Sequence, residues 1–321
     1  THAAWLDSED GRFLVRVRSL DRSTGRWSAT RTIGEAFDNH GGPELAADSQ
    51  GYLHVVYFPH HHPFRYRRSL RPNDSSEWTR ETAFGERCTY STVVVLPDDS
   101  LVLVCRERTD RRWVMNQYTK PADGAWEGPR TLLHGNAPSG YTRWQTALAL
   151  GPAGKVMHMS FMVYEGSDLF GEQGPGYAIG YLRSRDGGRH WEQSDGTPVS
   201  LPATPSTIEL VEGARIRSGP ANLRPGNMAV DPNGSPWLIY SRLDRQPFET
   251  WIAHPANGGG WQKTPLLPVI QRHWPHRSVK TPGQIVFDRN GTMYVTLTTV
   301  CADASVEQGY WGHQSAEVAL L

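Results

Sequence analysis

One pattern recurs along the chain and leaves few folds open to it. A run of alternating or β-branched apolar residues meets a cluster of Asp, Pro, Asn, Gly or Ser, and a second apolar run leads away. It reads AADSQGYLHVVYF at 46–58, VVLPDDSLVLVC at 94–105, LALGPAGKVMHMSF at 148–161, MAVDPNGSPWLIY at 228–240 and IVFDRNGTMYVTL at 285–297. Asp10-Gly11 followed by RFLVRV starts the same pattern near the N-terminus. Each is a β-hairpin signal, with a Gly or small polar residue available for the left-handed turn position. A polar turn ending in Trp trails five of them: STGRW (Trp27), DSSEW (Trp78), ADGAW (Trp126), DGGRHW (Trp191) and NGGGW (Trp261). Two hairpins per unit make a four-stranded meander, and a period of about 50 residues lies in the range of propeller blades.

Composition agrees with many short strands and turns: 32 Gly, 23 Pro, 12 Trp and 12 Tyr stand against 6 Met. Six units are recognisable, and the tail SVEQGYWGHQSAEVALL is expected to add a strand to the incomplete first one, closing a ring and removing exposed sheet edges. The fold predicted is all-β: a β-propeller of four-stranded antiparallel blades, seven-bladed with six as the alternative, in one domain spanning residues 1–321. Two β-sandwiches form the competing architecture, but they need no Trp-marked turn in every unit. Ser184-Arg185-Asp186-Gly187-Gly188 before Trp191 also resembles the S-x-D-x-G-x-x-W turn of sialidase-like propellers.

Lys plus Arg equals Asp plus Glu at 33 each, which removes the broad basic surface that duplex nucleic acid or an anionic membrane requires. An anionic ligand must be met by a local cluster. No run of 18 apolar residues suggests a membrane span, and THAAWLDSEDG shows no basic-then-apolar leader. Cys88, Cys105 and Cys301 allow one disulfide at most.

The chemistry concentrates at hairpin mouths. Asp38-Asn39-His40-Gly41-Gly42-Pro43-Glu44 enters a hairpin that leaves through Pro59-His60-His61-His62-Pro63, so His40 and His60 fall at matching ends of antiparallel neighbours. In the next unit Thr89-Tyr90-Ser91 enters and Cys105-Arg106-Glu107 leaves, placing Tyr90 and Arg106 at the same rim. A third unit offers Tyr141-Thr142-Arg143-Trp144 at its entry. Consecutive histidines alternate faces in a strand and lack tetrahedral partners nearby, so no metal is expected at the triplet. His61 or His62 with Arg65 is expected to bind substrate or shape the loop. Asp38, Glu44 and Glu107 are read as rim acids without an obvious pair.

DNHGGPELAADSQGYLHVVYFPHHHPFRYRRS, then NDSSEW and TYSTVVVLPDDSLVLVCRE, resembles the BNR-4 type of propeller family, which includes ulvan lyases and rhamnosyl-glucuronate lyases and hydrolases. The resemblance is dense over 37–108 and looser to about residue 300. It implies an active site of His40, His60, Tyr90 and Arg106, with Ser91 standing where many members carry Pro. By that resemblance His40 and Tyr90 are the catalytic pair and His60 and Arg106 bind substrate; Arg143, Asn39, His61 and Tyr141, at the same hairpin mouths, are expected as further substrate contacts.

The implied reaction is β-elimination at an L-rhamnose-α-1,4-D-glucuronate linkage, found capping arabinogalactan and within ulvan. The substrate carboxylate must be neutralised by Arg106 with His60 or Arg143, while one group takes H5 and another protonates O4 on the same ring face. The chain is short beside the larger ulvan enzymes, which favours exo action on the rhamnose cap. A hydrolase would canonically need two flanking carboxylates, or a His aided by the substrate carboxylate; a silent carbohydrate-binding propeller is the third reading. No organic cofactor is implied, a structural calcium ion is an option of the fold family, and an acidic polysaccharide is the expected partner. A monomer, secreted or periplasmic, is favoured.

Overall fold

The computed structural model describes residues 1–110, 112–136, 141–165, 176–215, 222–244, 247–304 and 313–321. The chain is all-β, in two compact units, Thr1–Leu132 and Leu133–Leu321. In the first, β1 (His2–Glu9), β2 (Arg12–Asp21), β3 (Arg26–Trp27) and β4 (Arg31–Ala36) form one antiparallel sheet in which β2 pairs with the other three. β5 (Glu44–Ala47), β6 (Leu53–Tyr57), β7 (His62–Arg68), β8 (Thr82–Val95), β9 (Leu101–Arg108), β10 (Trp113–Lys120) and β11 (Glu127–His134) follow in chain order across a second sheet. That sheet is two meanders sharing β8, whose first half pairs with β7 and whose second half pairs with β9.

The second unit holds three sheets. The first contains β12 (Thr142–Leu150), β13 (Met157–Glu165), β14 (Ala178–Ser184), β15 (Trp191–Glu192), β16 (Pro198–Val199) and β17 (Glu209–Gly213). β18 (Leu223–Val230), β19 (Pro236–Arg242), β20 (Glu249–Pro255) and β21 (Trp261–Pro265) form the next. After the short helix α1 (Leu267–His273) come β22 (Arg277–Phe287), β23 (Met293–Cys301) and β24 (Glu317–Leu320). The described residues thus hold six meander modules. The tail behaves differently from expectation: its strand β24 pairs with β23 and not with the first sheet. Residues 305–312 of that tail lie outside the described residues.

A shared piece of turn chemistry explains the repeat. Asp48 Oδ1 accepts the amides of Gln50 and Tyr52 at 3.1 and 2.8 Å, Asp231 those of Asn233 and Ser235 at 2.9 Å each, and Asp288 those of Asn290 and Thr292 at 2.9 and 2.8 Å. A carboxylate that accepts two amides closes the turn, and the intervening residue must take a left-handed backbone. Gly51, Gly234 and Gly291 supply it, with φ of 87°, 88° and 84°.

The Trp-marked turns lead into short strands at or next to the sheet edges: Trp27 lies in β3 and Trp261 in β21 at an edge, Trp191 in β15 one strand in, and Trp78 bridges Ser69. Trp126, just before β11, stacks on Phe84 with centroids 4.2 Å apart. Where the Trp is buried, as Trp191 is, its apolar surface holds a strand with few ladder bonds in register, whereas Trp27 is exposed.

The cores lie between successive modules. Val55 and Tyr57 on β6 pack with Val15, Val17 and Ile33 of the first sheet, while Val56 packs with Phe64, Tyr66, Cys88 and Leu103 on the other side. Burial on both faces is why the inner strands read as continuous apolar runs and not as clean alternation. In the second unit Met162, Tyr181, Leu238 and Tyr240 join the β12–β17 sheet to the next, and Ile239, Ile252, Val279 and Val295 join that one to the last.

His158 on β13 gives this core a pH dependence. It is 2% exposed, its Nδ1 is 2.6 Å from the Tyr181 hydroxyl, and its Nε2 has no hydrogen-bond partner among the described residues. Burial, reinforced by the charges of Arg183 and Arg185, pushes its pKa down to about 4. The fold therefore holds the ring neutral. As pH falls below the ordinary value of 6.5, the unfolded chain takes up a proton that the folded chain refuses, and stability is lost until the folded ring protonates near pH 4. Urea denaturation should show this site contributing up to about 3 kcal/mol of that loss, and His158→Gln should flatten the slope between pH 6.5 and 4; an unchanged slope counts against the assignment.

Candidate active site

The site is built where two hairpins of the first unit open side by side. The segment before β5 is held against the loop after β6 by backbone bonds from Phe58 N to Gly41 O (3.2 Å) and from Phe37 N to Phe58 O (3.0 Å). A Cβ at residue 41 would lie 2.5 Å from Phe58 O and 2.7 Å from the Ala36 Cβ, so only glycine permits the approach. The same loop is tied to β8 by the His61 amide, which donates to Cys88 O at 2.9 Å.

These ties bring four of the sequence-predicted residues into one cluster. The His40 and His60 rings stack with centroids 4.0 Å apart at 26°, and the Tyr90 ring is 5.9 Å from His40. Arg106 lies behind Tyr90, its Cζ 4.8 Å from that ring and 4.3 Å from the Trp113 ring. A guanidinium between two aromatic faces is attracted to both, by about 0.5–2 kcal/mol each.

Tyr90 reaches this position through a bulge in β8. Thr89 pairs with Arg106 and Thr92 with Val104, so three steps on β8 oppose two on β9. Tyr90 itself takes φ of 55°, and His61 across from it takes 63°. Non-glycine residues in the left-handed region cost of order 1 kcal/mol or more and persist where the surroundings over-determine them.

Charge is distributed unevenly. Arg106 is 1% exposed, and its Nη2 donates to His61 Nε2 at 3.0 Å. Burial, then the Arg106 charge, pushes His61 down to about pKa 4, so the ring is neutral and free to accept that bond. Asp38 accepts from His40 Nδ1 at 3.1 Å, from the His40 amide at 2.8 Å, and from His60 Nδ1. Burial alone would raise its carboxyl, but these donors hold it below the ordinary range. Burial lifts Glu44, at the start of β5, to about 7.

The remaining predicted residues fall elsewhere. Asn39 is exposed between the anchored Asp38 and His40. Tyr141 and Arg143 belong to the second unit, where both meet Tyr164: Tyr141 edge-on at 5.8 Å, and Arg143 with Cζ 5.3 Å from the ring. His62 packs on Phe37 at 4.4 Å, and Arg65 pairs with Glu81 and covers Phe58, so these two shape the loop.

Glu107 is not a rim acid. It is buried on the face of β9 opposite Arg106 and accepts bonds from Asn116 (2.7 Å), Tyr118 (2.6 Å) and the Glu86 amide (3.1 Å). Among the described residues, two groups bring metal-type donor atoms within 4.8 Å of one another: Asp38 with His40 and His60, and buried Cys88 with Cys105 and Glu107. The histidine triplet does not converge, since its three rings turn to Asp38, Arg106 and Phe37.

Sequence reasoning missed Asp38 and Trp113 as parts of this cluster. The signal for Asp38 was present as the Asp-x-His spacing, which allows an Asp side chain to accept the amide two residues on. Nothing in the sequence marked Trp113, whose role comes from β10 lying beside β9.

Ulvan Lyase-PL25 of Pseudoalteromonas sp. (strain PLSV) is 28% identical over 136 residues, covering 33% of this chain and 27% of that protein. The ulvan lyase of Alteromonas sp. (strain LOR) is 29% identical over 136 residues, with the same coverage. The match spans about a quarter of the length of these curated relatives. Among solved structures, a PL25 ulvan lyase bound to -[GlcA(1-4)Rha3S]- superposes with a TM-score of 0.67 at 16% identity, over 93% of this chain and 79% of the other, a likeness of fold. The family model BNR_4, described as a BNR repeat-containing family member, matches residues 1–267, and the chain belongs to that family.

Proposed function

We infer that the chain is a polysaccharide lyase of propeller fold, its modules the blades of one domain with seven blades expected, which cleaves the L-rhamnose-α-1,4-D-glucuronate linkage by β-elimination. The observation that carries this reading is the placement of His40 and Tyr90, 5.9 Å apart by ring centroid, beside a buried guanidinium. A uronate C5 proton becomes removable only when the adjacent carboxylate is neutralised, because the anion left behind resembles an enolate. Arg106 supplies that charge, with His60 as the second contact to the carboxylate and Asn39 and His61 bordering the sugar. His40 takes H5, electrons move into the C4–C5 double bond, and the C4–O4 bond breaks with Tyr90 protonating O4. The products are a free rhamnose-side hydroxyl and an unsaturated uronate.

The substrate reading draws support from the neighbouring structure, whose bound oligosaccharide contains glucuronate joined to sulfated rhamnose. The bond proposed for cleavage, from rhamnose C1 to glucuronate O4, occurs in the rhamnose cap of arabinogalactan and between repeats of ulvan, and the cap with exo action is the version proposed. Product analysis on gum arabic and ulvan separates the classes. Elimination is expected to generate ultraviolet-absorbing unsaturated uronate with no solvent oxygen incorporated into either sugar. Saturated glucuronate, with solvent oxygen at C1 of the released rhamnose, would establish hydrolysis instead.

The roles are also separable by mutation. His40→Ala and Tyr90→Phe should each lower kcat by about 10²–10⁴-fold, the usual worth of one proton-transfer partner, with circular dichroism and melting temperature retained. Arg106→Lys keeps a charge but loses the planar fork, and should cost at least as much in kcat/KM. Full activity in Tyr90→Phe would remove the phenol from the mechanism.

A further inference from the structure

We propose that Asp38 is a positioning residue that fixes the tautomer of two imidazoles at once. Its Oδ1 accepts both the His40 amide and His40 Nδ1, and its Oδ2 accepts His60 Nδ1. An ionised carboxylate has no proton to give, so each Nδ1 facing it must be the one that carries hydrogen. Neither Nε2 has a hydrogen-bond partner among the described residues. The stacked pair therefore presents two Nε2 atoms with their lone pairs available, 4.0 Å apart by ring centroid and next to Tyr90. One carboxylate does for both rings what separate partners do in most proton-transfer sites. The backbone bond from His40 matters here, because it locks the carboxylate in rotation.

That lock makes Asp38→Asn informative. The His40 amide still requires an oxygen, so the asparagine must keep its Oδ1 on that side and turn its NH₂ towards His60. An NH₂ cannot accept, so His60 must offer a lone pair at Nδ1 and move its hydrogen to Nε2. His40 keeps its tautomer but faces a neutral amide in place of a carboxylate. The variant thus separates the two rings, one changing tautomer and the other losing only charge.

The activity consequence rests on the elimination reading, and the tautomer does not. Nitrogen-15 NMR of histidine-labelled protein at alkaline pH, with His60 assigned through His60→Gln, is expected to show both rings with hydrogen on Nδ1 in the native chain. In Asp38→Asn, His60 should show hydrogen on Nε2 with His40 unchanged, and kcat/KM on the rhamnosyl-glucuronate substrate should fall by at least about 10²-fold with melting temperature retained. Hydrogen on Nε2 of either ring in the native chain overturns the proposal, as does an Asp38→Asn protein with unchanged tautomers and activity within threefold. Stoichiometric zinc bound by the native protein and lost in Asp38→Asn would also overturn it, by assigning the three groups to an ion. If Asp38→Asn does not fold, the native spectrum alone decides. Absence of turnover on every uronate substrate would end the elimination reading while the spectra still decide the role of Asp38.

Discussion

The arrangement depends on a single strand serving two meanders. β8 leaves β7 and joins β9 without a break in the chain; the two ladders meet at Cys88, just before the bulge containing Tyr90. Within the ladder to β9 the strand carries one extra residue between Thr89 and Thr92, and the left-handed Tyr90 lies in that bulge. Its ring is then aimed by the strand geometry and held by Arg106 on one side and the His40–His60 stack on the other. The same crossing places Cys88 O to receive the His61 amide, so the loop carrying the histidines is fastened to the bulge that carries the phenol. Four side chains from three hairpin ends become one cluster because the backbone beneath them is one piece.

The hairpins were legible because their information is local. An Asp followed three residues later by Gly states both the acceptor and the left-handed position, and Asp48-Gly51, Asp231-Gly234 and Asp288-Gly291 all close that way. The tail was less legible. EVAL carries no turn of its own, and its pairing with β23 is decided by which edge is available, a property of the assembled sheet. The continuity of β8 was not marked either, since TYSTVVV was read only as the entry to the next hairpin.

The site divides along the same line. His40, His60, Tyr90 and Arg106 could be brought together on paper because each stands at the end of a hairpin whose turn was already located. Glu107 was misjudged because neighbours on a strand face opposite ways: once Arg106 points to the cluster, Glu107 must enter the core, where Asn116 and Tyr118 receive it. Asp38 was seen as an acid without a pair, and its partners turned out to be imidazoles 2 and 22 residues away. Trp113 stands at the start of β10, opposite Arg108 and one sheet position from Arg106, a neighbourhood visible only after the strands are laid side by side.

The alternation along β9 has an evolutionary consequence. Cys105 and Glu107 face one side of the sheet, among Cys88, Tyr118 and Asn116, while Arg106 faces the other, between Tyr90 and Trp113. Odd and even positions of one strand thus answer to different selective pressures. A substitution at Cys105 or Glu107 is therefore answered by the packing between modules, and one at Arg106 by the cluster at the hairpin mouths, so that one face of the strand can be altered while the other keeps its contacts.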